Sequence, residues 1–187
     1  HVRSRRQRQM CIRDRLKPSE LTPFSALRYA ELAVQAGLPP GIFNVVQGDG
    51  RLTGDALCRH PRISKVTFTG STATGSSIMA ACATHGPKPV TLELGGKSPQ
   101  LVFADIPDLH KTARSVAMAI TGNAGQVCVS GSRLIIERSI LEPFVECLLG
   151  HFRELRPGPT WSTQTSLAPI ISALQAERIA AIVQRSR

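Results

Sequence analysis

The chain has 187 residues, of which 42% are apolar, 19% charged and 4% aromatic, with 15 Gly and 13 Pro. That is globular composition at the length of one large or two small domains, so a disordered, collagen-like or disulfide-stapled chain is excluded. The net charge is +10, but no apolar run approaches the ~18 residues of a spanning helix, and the polar start offers no signal-peptide core.

Residues 1–15 hold Arg3, Arg5, Arg6, Arg8, Arg13 and Arg15 against Asp14 alone, so half of the excess charge sits in this stretch. Such a run can be a nucleic-acid patch, but a solvated tail explains it as well, and no nucleic-acid partner is expected. Composition changes abruptly at Leu16, which also suits a non-native segment. Residues 1–15 are therefore read as a basic, disordered or non-native segment.

Residues 22–38 are predicted to form a helix, with Thr22 as N-cap, Pro23 at the first helical position, and Gly37 and Pro39 marking the stop. Residues 42–46 read as a strand. Gly48, Gly50 and Gly54 lead into a short helix ending near His60. A strand at 65–68, a turn at Gly70, a Ser71-capped helix to Thr84 and a strand at 89–94 follow. This alternation predicts a parallel sheet with covering helices. Beyond Gly95 and Gly96 come a strand at 100–103, a helix at 107–120 and a glycine-rich turn at 122–131. A strand at 133–137 and a helix at 141–155 lead to a break at Arg156-Pro157-Gly158-Pro159. A last helix begins near Ser172.

Cys11, Cys58, Cys82, Cys128 and Cys147 are odd in number, with no CxxC and no zinc-ligand spacing. Neither a metal site nor a disulfide framework is expected, and reduced thiols point to the cytoplasm. Cys82 and Cys147 sit in apolar helical patterns and are expected to pack in cores. Cys128 lies instead in a glycine-rich turn, where a sulfur can face a ligand.

Three further features suggest chemistry. Phe68-Thr69-Gly70-Ser71-Thr72-Ala73-Thr74-Gly75 puts glycine and a hydroxyl at a helix N-terminus, which suits a phosphate as well as it suits a plain serine cap. Gly48-x-Gly50-x-x-x-Gly54 is one residue too long for the usual dinucleotide fingerprint. Glu93, between two leucines at a strand end, is either a buried general base with a raised pKa or an exposed partner of Lys97.

Taken together, these segments resemble the aldehyde dehydrogenase superfamily. The resemblance runs from Lys17-Pro18-Ser19-Glu20 through Phe43-Asn44-Val45-Val46 and the 68–75 turn to LELGGKSP and GQVCVSGSR, covering residues 16–187. It implies an NAD-dependent enzyme that oxidises a small-molecule aldehyde to a carboxylic acid. Cys128 is implied as the nucleophile, through thiohemiacetal and thioacyl stages, and Glu93 as the base that activates the hydrolytic water. For the cofactor, Lys17 and Glu20 are implied at the adenosine ribose, Gly50 and Gly54 near the adenine, and Gly70 and Ser71 at the pyrophosphate, with Gly75 in the same turn. Glu20 tilts the choice to NAD, with NADP as the alternative.

The implied fold is α/β. A Rossmann-like coenzyme-binding part spans residues 16–95, and the start of an α/β catalytic domain spans 96–187. The family's upstream asparagine motif and downstream glutamate-phenylalanine-glycine-proline segment have no counterpart here, so a chain truncated at both ends is expected, from a parent that forms dimers or tetramers. The competing expectation is a catalytically incompetent remnant that binds nucleotide weakly.

Overall fold

The computed structural model describes residues 13–186. Most of the basic segment, including Cys11, lies outside the described residues. The elements begin with β1 (Asp14–Leu16), α1 (Phe24–Gln35), β2 (Phe43–Val45) and a π turn (Gly50–Gly54) that runs into α2 (Asp55–Arg59). They continue with β3 (Val66–Thr69), α3 (Thr72–Thr84), β4 (Val90–Glu93), β5 (Pro99–Val102) and α4 (Leu109–Thr121). After a 3₁₀ turn (Gly122–Gly125) come β6 (Arg133–Ile136), a second 3₁₀ turn (Arg138–Ile140), α5 (Leu141–Arg153) and α6 (Ala173–Arg185).

Among the described residues the strands pair in parallel, in three β-α-β steps: β1 with β2, β3 with β4, and β5 with β6. Parallel neighbours need a crossover, and α1, α3 and α4 supply it. The chain is therefore α/β, as its alternating pattern implies. The difference lies in the partners. Sequence order suggested one sheet running through residues 42–46, 65–68 and 89–94, but β2 pairs with β1 in the register Asp14↔Phe43 to Leu16↔Val45. A three-residue strand shows no readable periodicity, and β1 takes in Asp14 and Arg15, which their charge had grouped with the basic tail. Asp14 N–H donates to Ile42 O at 2.8 Å and Val46 N–H to Leu16 O at 2.9 Å, extending the ladder at both ends.

Three helices begin as their cap residues dictate. The side chains of Ser71, Asp108 and Ser172 accept the N–H of Thr74, Lys111 and Gln175 and so open α3, α4 and α6. In α1 the boundary moves by one residue: Pro23 is the helical-angle N-cap, and Thr22 lies before it with no capping bond from its side chain.

Residue contacts divide the chain between Glu93 and Leu94 into two compact units. In the first, Cys58, Ala81 and Cys82 are buried, with Val66, Ile78 and Val90 against them, where α2, α3, β3 and β4 converge. Tyr29 of α1 meets Phe43 of β2 edge to face, with ring centres 5.6 Å apart. In the second unit, Val102, Ala113, Val116, Ala117, Phe144 and Leu148 form a larger core between β5, α4 and α5. Cys82 is buried as expected, whereas Cys147 is half-buried at the margin of the second core, its sulfur 3.0 Å from His110 Nδ1.

Candidate active site

In a parallel sheet the loops that leave the carboxyl ends of the strands gather on one side, the usual location for ligands in α/β folds. Lys17 comes directly after β1. Its Nζ donates to Pro18 O at 2.6 Å and Gly48 O at 2.9 Å and lies 3.6 Å from Glu20 Oε2. The lysine side chain is only 16% exposed, whereas the Glu20 carboxylate is 54% exposed and open to hydroxyl donors. Gly48 leaves β2 with φ +140°, and a Cβ there would collide with the Thr53 side chain. Asp49 Oδ1 then accepts the Arg51 N–H at 2.6 Å and opens the π turn. A Cβ on Gly54 would lie 3.8 Å from Lys17 Cδ. Lys17, Glu20 and Gly54 are thus drawn together around Gly48. Sequence reasoning noted Gly48 only in the weak Gly48-x-Gly50-x-x-x-Gly54 pattern, and no local signal pairs it with Lys17, 31 residues away; Gly50 begins the same turn.

A second group forms where β3 and β4 end. Thr69 stands opposite Glu93, and the Gly70 N–H donates to Glu93 O at 3.0 Å. Ser71 Oγ accepts the Thr74 N–H at 3.2 Å and lies 2.9 Å from Thr74 Oγ1. Gly75 is buried, and its N–H bonds to Ser71 O at 2.9 Å. Gly70, Ser71, Gly75 and the Glu93 backbone therefore share one turn, at the positive end of a 13-residue helix whose first N–H groups lack intrahelical acceptors. The Glu93 side chain is exposed rather than buried between Leu92 and Leu94. Strand alternation explains this: β4 turns Val90 and Leu92 inward and Thr91 and Glu93 outward.

The second unit carries Cys128. After α4, Asn123, Ala124 and Gly125 adopt φ values of +50°, +55° and +73°. Left-handed angles are costly for side chains with a Cβ, so neighbouring groups must hold this turn. The Gln126 N–H and its side-chain Nε2 both donate to Asn123 O at 3.1 Å, and Asn123 Nδ2 returns a bond to Gln126 O at 3.4 Å. Beyond Cys128, the N–H of buried Ser130 donates to Val127 O at 3.0 Å, and the Gly131 N–H donates to Ala119 O at 3.2 Å. Gln100 of β5 fixes the same segment, its Nε2 donating to Gly131 O at 2.9 Å and Val116 O at 3.3 Å. Gln100 and Ser130 were missed from sequence; a glutamine among the apolar residues of a strand was the available signal. Cys128 itself is an exposed free thiol. Its carbonyl lies 3.4 Å from where a Cβ on Gly96 would stand, so glycine there lets the two backbones approach.

A cavity of about 370 Å³ is lined by Met118, Thr121, Asn123, Thr165 and Ser166 among others, but not by Cys128. Among the described residues no group of three or more His, Cys, Asp or Glu side chains could hold a metal ion. No described helix is long and apolar enough to cross a membrane.

Comparison with known proteins supplies the family. The profile of the aldehyde dehydrogenase family matches residues 15–187. The chain is 44% identical over 168 residues to 4-trimethylaminobutyraldehyde dehydrogenase of Pongo abelii, covering 90% of this chain and 33% of that protein. Its fold is similar to a putative aldehyde dehydrogenase of Burkholderia cenocepacia, at TM-score 0.87 and 46% identity over 92% of this chain and 36% of that one. It is also similar to an indole-3-acetaldehyde dehydrogenase of P. syringae in complex with NAD+, at TM-score 0.86 and 39% identity over 91% and 34% of the two chains. The chain thus spans about a third of the length of these relatives. With its α/β fold and a profile match that takes in both glycine turns, LELGGKSP and GQVC, the chain belongs to the aldehyde dehydrogenase family.

Proposed function

We propose that this chain carries the thiol and the general base of an NAD-dependent aldehyde dehydrogenase, an enzyme that oxidises a small-molecule aldehyde to its carboxylic acid. The observation that carries this reading is Cys128, an exposed thiol on a turn shaped by left-handed residues in a chain of this family. A thiolate is strongly nucleophilic and its thioester stays open to water, so one sulfur serves both half-reactions. Attack of Cys128 Sγ on the aldehyde carbon gives a thiohemiacetal, and the backbone N–H of Cys128 favours its oxyanion. Loss of hydride from that carbon leaves a thioester. Glu93 takes a proton from water as the water attacks this thioester, which releases the acid and returns the thiol. The exposed Glu93 carboxylate is free to meet water in that role.

The first unit fits a dinucleotide, and NAD+, when bound, accepts the hydride. The half-exposed Glu20 carboxylate would accept ribose hydroxyls and repel a 2′-phosphate, which favours NAD over NADP. Lys17 orients that carboxylate, and Gly50 and Gly54 leave room beside it for the adenine. Gly70, Ser71 and Gly75 would hold the pyrophosphate against the N–H groups that open α3. The NAD+ complex of the P. syringae relative supports the same reading. A cytoplasmic location belongs to the proposal, on the strength of the free cysteines.

The test is aldehyde-dependent formation of NADH. Cys128→Ala should abolish it. Glu93→Gln should keep the first turnover while slowing the steady state by about 100-fold or more. A normal steady-state rate in either variant rejects the assignment. The alternative, a chain that binds nucleotide without turnover, draws support from the exposed apolar side chains of Leu101, Phe103 and Ile135. Calorimetric NAD binding by the unaltered chain, with no NADH formed from any aldehyde, would favour it.

A further inference from the structure

We propose that Gln126 is a positioning residue for Cys128, coupling the thiol-bearing turn to the backbone that leads into α6. This rests on the reading of Cys128 as nucleophile, but its structural half can be tested separately. Both ends of the Gln126 carboxamide are used. Nε2 donates to Asn123 O at 3.1 Å, inside the left-handed turn, while Oε1 accepts the N–H of Ile171 at 2.9 Å, 45 residues further along the chain. Ile171 directly precedes Ser172, the N-cap of α6. One side chain therefore ties a conformationally costly turn to the start of a helix.

The turn needs such a tie. Asn123 and Ala124 both carry a Cβ at positive φ, and such backbone persists only where surrounding contacts over-determine it. Besides the reciprocal bond from Asn123 Nδ2, the side-chain hydrogen bonds to this turn among the described residues are that of Gln126 and the long one from Ser130 Oγ to Gly125 O at 3.5 Å. Thr121, Asn123 and Ala124 share the lining of one cavity with Thr160, Thr165 and Ser166, so open space lies between the two segments there. The Gln126–Ile171 bond is a direct polar link between the turn and the segment that leads into α6. Cys128 lies two residues from that link, so freeing the carboxamide frees the sulfur.

Two opposite effects on one thiol distinguish positioning from general weakening. Alkylation by iodoacetamide accepts any orientation of the exposed Cys128 thiol and speeds up as the turn that holds it loosens, whereas attack on an aldehyde held beside a dinucleotide needs the sulfur in one place. In Gln126→Ala of the full chain, peptide mass spectrometry should show Cys128 alkylation rising several-fold, with Cys147, Cys58 and Cys82 unchanged. Hydrogen exchange at the Ile171 amide should rise about tenfold or more as its acceptor is lost. In the enzyme assay, kcat should fall about tenfold with KM for NAD unchanged. Gln126→Glu keeps an oxygen for the Ile171 N–H but has no donor for Asn123 O, so it should restore the protection of Ile171 while kcat stays low.

The proposal is overturned if Ile171 exchange and Cys128 alkylation stay at their original values in Gln126→Ala. It is equally overturned if all four cysteines gain reactivity together, because that marks global loosening. If Cys128→Ala leaves aldehyde oxidation intact while both local readouts respond to Gln126→Ala, the catalytic reading fails and the Gln126–Ile171 coupling stands alone.

Discussion

Between residues 13 and 93, two β-α-β steps form a small core of Cys58, Ala81 and Cys82 with their apolar neighbours, while beyond residue 94 a single such step and the helix α5 that follows it bury Val102, Ala113, Val116, Ala117, Phe144 and Leu148. The first unit relies on turns and caps: the Lys17–Gly48 bond, the Asp49 cap, the Gly70–Glu93 bond and the Ser71 cap all lie at strand ends. The second relies on its core and, among the described residues, gathers its positive-φ backbone at Asn123, Ala124 and Gly125, shortly before Cys128. The same topology thus supports two ways of presenting polar groups. Backbone N–H groups at a helix start suit an anion, and a strained turn held from several sides keeps its side chains in place, which is what the proposed roles of Ser71 and Cys128 require.

The largest effect should come from the second core. Phe144 is fully buried, and Phe144→Ala should cost about 3–5 kcal/mol in urea unfolding, since a cavity remains where the ring packed. A loss under ~1 kcal/mol would mean that this core is not what holds the unit together. Next is Gly48→Ala in the first unit. A Cβ at φ +140° against Thr53 should cost about 2 kcal/mol and shift the carbonyl that receives Lys17. Nucleotide affinity, measured by calorimetry, should fall with it; full affinity and stability would separate Gly48 from the site.

A smaller effect is expected at the cap of α3. Ser71→Ala removes the acceptor for the Thr74 N–H and should cost about 1 kcal/mol, with Ser71→Asp keeping the stability. Because a second negative charge would repel a pyrophosphate, the aspartate variant should nevertheless bind NAD more weakly than wild type. Equal binding would remove the anion role from this turn. The smallest effect concerns pH. Burial, and then the neighbouring Cys82 thiol, raises the pKa of Cys58 above its ordinary value of 9.0. The folded state therefore keeps its proton longer than the unfolded state. The resulting stability is complete below pH 9 and is lost as the pH climbs towards the raised folded value. Urea midpoints between pH 8 and 10 should fall less steeply in Cys58→Ala than in wild type, and identical slopes would count against a protonated, buried thiol.

Local chemistry was legible wherever a residue acts on its own neighbours. Ser71 and Ser172 cap helices because a serine Oγ reaches an N–H three residues on, whatever else surrounds it. The β-α-β alternation could be read from apolar patterning, and Cys128 stood apart by sitting among glycines rather than on a helix. β1 could not be read, because three residues beside an arginine run carry no pattern. Nor could the exposure of Glu93, since its leucine neighbours report the burial of the opposite face of the strand.

What the sequence determined by itself, then, is the strand-helix alternation beyond β1 and the serine caps of α3 and α6, properties fixed within a few residues. The tertiary structure alone decided that β2 pairs with β1, that Lys17 finds its acceptor at Gly48, and that Gln126 reaches Ile171. These contacts join residues about 30 to 45 apart, and a polar side chain does not encode its distant partner. The partner is set when packing removes water from around it, leaving a donor or acceptor that must be satisfied from within the protein.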